Sequence, residues 1–223
     1  MNARADSAAA FRRLHQGPDI LLLANAWDGG SARLIESLGA KAVATTSAGV
    51  AWSHGYPDGD ALPLRLLVAT VAAITRIVRV PLTVDMEGGY GENPAAVGEA
   101  VAAVIDAGGI GINIEDGSSP PDLLCAKITQ AKQAGTRLAI DLFVNARTDV
   151  YLSGLVPDTG RVEETLARAK RYREAGADGI FVPGLVDPAD IRTIASAIGL
   201  PLNVMAWPGL PSASELAGSA RGG

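Results

Sequence analysis

The chain has 223 residues, 48% of them hydrophobic, and a formal net charge of −5. That is enough material to bury one substantial core, and a single domain spanning 1–223 is expected. Scattered Lys and Arg under an acidic balance exclude the basic stripe of a nucleic-acid partner. One cysteine excludes an internal disulfide. No run reaches the roughly 20 apolar residues of a membrane helix, and the first sixteen residues lack the apolar core of a signal peptide, so a cytoplasmic setting without a membrane partner is expected.

Strands and helices alternate along the chain. A first strand is expected at Ile20–Ala24 and a helix at Gly30–Leu38. Strand Ala42–Thr46 precedes helix Pro63–Arg76, and strand Leu82–Asp85 precedes helix Pro94–Ala107. Next come strand Gly111–Glu115, helix Leu123–Ala134, strand Leu142–Ala146 and helix Val162–Ala175. Strand Gly179–Val182, helix Pro188–Ile198 and strand Leu202–Ala206 complete the series. The strands are continuously apolar, as strands buried on both faces are. Leu38-Gly39-Ala40, Ala107-Gly108-Gly109 and Ala175-Gly176-Ala177 each close a helix with glycine just before a strand.

Repeated βα units imply a parallel sheet with right-handed crossovers, and seven of them in about 200 residues imply a (β/α)8 TIM-type barrel lacking its last βα unit. A doubly wound open sheet is the alternative, although no G-x-G-x-x-G follows the first strand. After the seventh strand, 211–217 can start a helix but no apolar run follows. Two strand edges would stay open, which implies a truncated chain, a partner over the gap, or another topology.

In a parallel barrel, chemistry collects at the C-terminal strand ends. There stand Asp85 and Glu87 after the third strand, Asn113 and Glu115 on the fourth, and Arg147 and Asp149 after the fifth. Residues two apart on a strand share a face, and neighbouring strands lie about 4.8 Å apart, so these carboxylates can converge. Ionised and unpaired in an apolar barrel, each costs several kcal/mol as an order of magnitude. A divalent cation on Asp85, Glu87 and Glu115 removes that repulsion, and oxygen-only ligands favour Mg²⁺, with Mn²⁺ as the other choice. Arg147 has the fork to clasp a carboxylate or phosphate, or to pair with Asp149 or a neighbouring acid. Ser47-Ala48-Gly49 after the second strand lets backbone N–H groups approach an anion. Asp58, in the loop 54–59, reads as a turn former, and Asp116 as structural.

These motifs together resemble the isocitrate lyase/phosphoenolpyruvate mutase superfamily. The resemblance runs from about Phe11 to Pro211. It is carried by Asn25-Ala26-Trp27-Asp28, Thr46-Ser47-Ala48-Gly49-Val50-Ala51, Asp85-Met86-Glu87-Gly88-Gly89-Tyr90-Gly91, Gly111-Ile112-Asn113-Ile114-Glu115-Asp116 and Asn145-Ala146-Arg147-Thr148-Asp149. It implies a Mg²⁺-dependent barrel acting on small 2-oxo or 2-hydroxy acids, working as a homo-oligomer that exchanges a terminal helix. By resemblance, Asp85 holds the metal directly and Glu87 and Glu115 hold it through water, with Asp58 joining that shell as a catalytic group. Ser47, Ala48, Gly49 and Asn113 bind substrate, and Arg147 holds its oxyanion end.

The K-x-C-G-H loop of the lyases is missing, because residues 115–122 read Glu-Asp-Gly-Ser-Ser-Pro-Pro-Asp. Cys125 and Lys127 fall in the following helix, and Val182-Pro183-Gly184 replaces a glutamate of the lyases. Decarboxylation of an oxaloacetate-like acid needs least from the missing groups. A metal-dependent carbon–carbon lyase is therefore the expected function. A phosphonomutase or phosphonopyruvate hydrolase is one alternative, and an inactive 2-oxo acid binder or truncated product is the other.

Overall fold

The computed structural model describes residues 3–17 and 19–220. Helix α1 (Ala3–Gln16) leads into strand β1 (Ala24–Ala26) and helix α2 (Gly29–Ser37). Strand β2 (Val43–Thr45) is followed by α3 (Ser47–Ser53) and α4 (Leu64–Ile77), and β3 (Leu82–Asp85) by α5 (Pro94–Asp106). Then come β4 (Gly111–Glu115), α6 (Pro121–Arg137), β5 (Phe143–Arg147) and α7 (Arg161–Glu174). Strand β6 (Gly179–Val182), α8 (Pro188–Ile198), β7 (Leu202–Val204) and α9 (Ala213–Ala220) complete the described chain.

The seven strands form one curled parallel sheet in the order β1 to β7. Ile112, Ile114, Val144, Ala146, Ile180 and Val182 are wholly buried within it, as continuous apolar strands require. Local chemistry sets the helix ends. Asn93 and Asp187 cap α5 and α8 through their side chains, each with a proline at the first helical position. Gly108 follows α5 with φ +108°, a conformation costly for any residue with a Cβ. Helix α1 closes the N-terminal end of the sheet. Phe11 is 1% exposed and meets the Phe143 ring edge-on at 5.3 Å, and His15 stacks on Phe143 at 4.1 Å.

Three expected strands (82–85, 111–115 and 179–182) and the helix 188–198 have the expected bounds. The first strand does not: it lies at Ala24–Ala26, downstream of the apolar run. Leu22 is 69% exposed and Ile20 39%, because among the described residues β1 pairs only with β2 and the run before it lines an open groove. That groove, of about 1100 Å³, lies between β1 and β7 and is walled by Leu21, Leu23, Leu202, Val204, Trp207 and Leu216. Among the described residues β7 pairs only with β6. The sheet is therefore a seven-stranded parallel half-barrel rather than a closed ring of eight. Helices α1 and α3 had no sequence signal: α1 is polar overall, and α3 hides in a small-residue stretch. No helix among the described residues is long and apolar enough to cross a membrane.

Candidate active site

Asp85, Glu115 and Arg147 are the last residues of β3, β4 and β5, so all three stand at the C-terminal mouth. The ladder puts them in two levels. Asp85 pairs with Asn113, which pairs with Asn145, and one level higher Glu115 pairs with Arg147. Asn145 Nδ2 donates to Asn113 Oδ1 at 2.9 Å. That bond occupies the amide expected to contact substrate.

Glu87 reaches the same place by a different route from the one expected. Strand β3 ends at Asp85, so alternation along a strand cannot carry Glu87 inward. It sits in a turn with φ +50°, and Tyr90 follows at φ +61°. Left-handed backbone at residues with a Cβ costs about 1–3 kcal/mol each, and the surroundings hold it in place. Glu87 Oε2 accepts from the Gly59 N–H at 2.9 Å and from the Asp60 N–H, Oε1 accepts from the Tyr90 hydroxyl at 3.3 Å, and Asp60 Oδ1 accepts from the Tyr90 N–H at 3.4 Å. A Cβ on Gly88 would lie 2.7 Å from Asp60 Oδ2, so the glycine lets the Asp60 carboxylate lie against this turn. The sequence singled out Asp58 in this loop; Asp58 is exposed and close enough for its charge to act on Glu87. The groups that seat Glu87 are the backbone of Gly59 and Asp60, which no residue-type signal could reveal.

Asp85 is held from three directions. Its N–H donates to Thr45 Oγ1 at 2.8 Å, its Oδ1 accepts from the Glu87 N–H at 3.2 Å, and its Oδ2 accepts from the Ser47 N–H at 3.3 Å. Ser47, Ala48 and Gly49 are the first turn of α3, capped by Thr46, and not a free loop. A helix N-terminus leaves these N–H groups without partners inside the helix; the Ser47 N–H takes Asp85 and the Gly49 N–H takes the Thr46 hydroxyl at 3.4 Å.

Arg147 lies among acids. Its Nη1 is 2.7 Å from Glu115 Oε2, and its Nε and Nη2 donate to Asp149 at 2.7 and 3.1 Å. The guanidinium also stands 5.8 Å from the Phe181 ring. Beneath it, Asp116 is fully buried. It accepts from the Asp149 N–H at 3.0 Å, from Arg168 at 2.8 Å and from the Tyr172 hydroxyl at 2.5 Å. This buried network fixes Asp149 and so Arg147, which is the structural role expected of Asp116.

Charge is out of balance here. Burial pushes the carboxyls of Asp85, Glu87 and Glu115 above the usual range. For Glu115 the result is about 7: burial comes first, Arg147 opposes it, and Asp85, Asp149 and Glu87 add to it. One guanidinium does not neutralise this group, and all available donors are oxygens. That donor chemistry fits a hard divalent cation. Among the described residues, no three His, Cys, Asp or Glu side chains come together as a ligand group.

Three further side chains and the cysteine take other places. Cys125 is half-buried on α6. His54 Nε2 meets the Thr70 hydroxyl on α4 at 2.9 Å. Trp27 and Trp52 are 46% and 68% exposed.

The profile of the family described as phosphoenolpyruvate phosphomutase matches residues 11–220. The chain belongs to that family, within the isocitrate lyase/phosphoenolpyruvate mutase superfamily. Among solved structures, a Burkholderia cenocepacia J2315 protein provisionally called a phosphonomutase is 44% identical. The match covers 96% of this chain and 89% of that one, with a TM-score of 0.91. An uncharacterized protein of Mycobacterium tuberculosis (strain CDC 1551 / Oshkosh) is 38% identical over 205 residues, 90% of this chain and 75% of its own length. An oxaloacetate decarboxylase of Paraburkholderia xenovorans (strain LB400) is 32% identical over 205 residues, 86% of this chain and 66% of that enzyme. Homologues of the chain are enzymes of the lyase and mutase superfamily.

Proposed function

We propose that this chain is a Mg²⁺-dependent lyase that cleaves a carbon–carbon bond in a small 2-oxo or 2-hydroxy (di)carboxylic acid, by an oxaloacetate-type decarboxylation. Mn²⁺ is the alternative ion. The observation that carries the reading is that Asp85 and Glu115 end neighbouring strands, with Glu87 in the turn after Asp85, and that the charges of all three act on one another beside Arg147.

Asp85 would hold the ion directly. Glu87 and Glu115 would hold it through water, with Asp58 joining that shell from the neighbouring loop. A bound divalent ion supplies Lewis-acid stabilisation of enolate charge at the substrate's keto oxygen. The protein's own groups do the rest. The first turn of α3, at Ser47, Ala48 and Gly49, receives the substrate carboxylate at its positive end. Asn113, fixed by Asn145, borders the same space. Arg147 directs positive charge at the oxyanion end, and Asp149 holds its fork in one orientation. Loss of CO₂ needs no side-chain acid at the departing group, which suits a chain without the lyases' cysteine loop.

The test is direct. Purified protein with Mg²⁺ should consume oxaloacetate faster than Mg²⁺ alone, with EDTA abolishing the difference. If oxaloacetate, 2-methylisocitrate and related acids are all left at the metal-only rate, the lyase reading fails. Phosphonate chemistry is the second reading, favoured by the similarity to the Burkholderia cenocepacia protein. Conversion of phosphonopyruvate followed by ³¹P NMR would establish it. Tight binding of a 2-oxo acid without turnover of any substrate would point to a binder. We further propose that the active form is a homo-oligomer working in the cytoplasm.

A further inference from the structure

We infer that Lys127 is a positioning residue for the candidate metal pocket: its ammonium holds the Gly88 carbonyl and thereby keeps the turn that aims Glu87. The metal role in this inference rests on the proposed function; the clamp itself does not.

Among the charged side chains of α6, only Lys127 is buried, at 7% exposure. Its Nζ donates to the Gly88 carbonyl at 2.6 Å. Asp60 and Glu92 are the carboxylates that act on it, both with attraction. If the position served packing alone, an apolar side chain of the same length would fill it without desolvating a charge. The carbonyl gives the ammonium its purpose.

Gly88 sits inside the turn that carries Glu87, Gly89 and Tyr90, all at positive φ. One side of this turn is tied to the neighbouring loop through Gly59, Asp60 and Tyr90. The Gly89 N–H closes it on the Met86 carbonyl at 2.7 Å. Lys127, reaching from α6, is the tie on the other side. Its removal leaves the Gly88 carbonyl without that donor and lets the strained backbone relax, which moves the Glu87 carboxylate away from Asp85. Groups that orient metal-shell residues typically change metal affinity 10–100-fold when they are lost.

The experiment uses the full chain and two readouts. Free Mn²⁺ is followed by EPR during titration of wild type, Lys127→Met, Lys127→Arg and Ile128→Ala. Amide hydrogen exchange of residues 86–91 is measured without metal. Lys127→Met should raise the Mn²⁺ Kd about tenfold and speed exchange in 86–91 while leaving α6 unchanged. Lys127→Arg, which keeps a donor, should recover most of both. Ile128→Ala, a core truncation on the same helix, should lower Tm and leave Kd at the wild-type value. Wild-type exchange in Lys127→Met overturns the clamp. An equal rise of Kd in Ile128→Ala reduces the effect to packing and also overturns it. Absence of Mn²⁺ binding by wild type overturns the metal reading, and with it the role of Lys127 toward a metal; the exchange data then decide the clamp alone.

Discussion

Arg147 Nη1 lies 2.7 Å from Glu115 Oε2, across the paired last residues of β5 and β4. One guanidinium thus serves two carboxylates, Glu115 and Asp149, while facing the charge of Asp85. A divalent cation held here would neutralise Glu115 and free one arm of the Arg147 guanidinium for a substrate.

Replacing Arg147 therefore tests the site's chemistry. Arg147→Lys keeps the charge and loses the fork. We expect kcat/KM for oxaloacetate to fall roughly 100-fold, because a point charge cannot fix the substrate's orientation. Steady-state kinetics with saturating Mg²⁺ check this. Loss of less than threefold would remove Arg147 from the substrate's surroundings.

Asp85→Asn should separate function from stability. Mn²⁺ affinity should drop at least about 100-fold if Asp85 is the direct ligand proposed above. Without metal the variant should be more stable than wild type by about 1 kcal/mol, because burial raises the Asp85 carboxyl and its ionised form opposes folding. Thermal unfolding in EDTA measures the second effect.

Asp116→Asn should cost stability on the order of 3 kcal/mol. Asp116 accepts from Arg168, Tyr172 and the Asp149 N–H, and its side chain has no exposure. The amide leaves Arg168 without its buried counter-charge. Urea unfolding at neutral pH is the measurement, and a change below 1 kcal/mol would contradict the network.

His15 gives a pH dependence with a defined sign. Burial against Phe143 lowers its pKa from 6.5, with the Phe11 carbonyl opposing. The unfolded chain binds the proton first, so stability is full above pH 6.5 and is lost as pH falls below it. His15→Gln should flatten the part of the stability curve between pH 7 and 5, seen as the difference between the two proteins' Tm values.

Much of the fold was legible because it follows from short-range rules. Continuous apolar runs ended by glycines marked β3, β4 and β6, and Asp187-Pro188 marked the start of α8. Strand β1 was misplaced because Ile20–Leu23 looks like a buried strand, yet it lines an open groove. Hydrophobicity reports what a residue tolerates, and pairing partners decide where a ladder runs. At the site, Asp85, Glu115 and Arg147 were found because strand ends are positions the sequence can count. Asp60 and Lys127 were missed, one acting through its backbone and the other read as an ordinary helix residue.

The sequence alone determined the parallel βα order, the acids at successive strand ends and the family phrase from Asp85 to Gly91. Only the tertiary structure decided how those acids are shared. It placed Glu87 by a left-handed turn, gave Arg147 to both Glu115 and Asp149, and buried Lys127 against Gly88. The physical reason is range. Periodicity and capping act within a few residues, whereas the charge balance of a pocket is set by groups as far apart in the chain as Gly59 and Arg168.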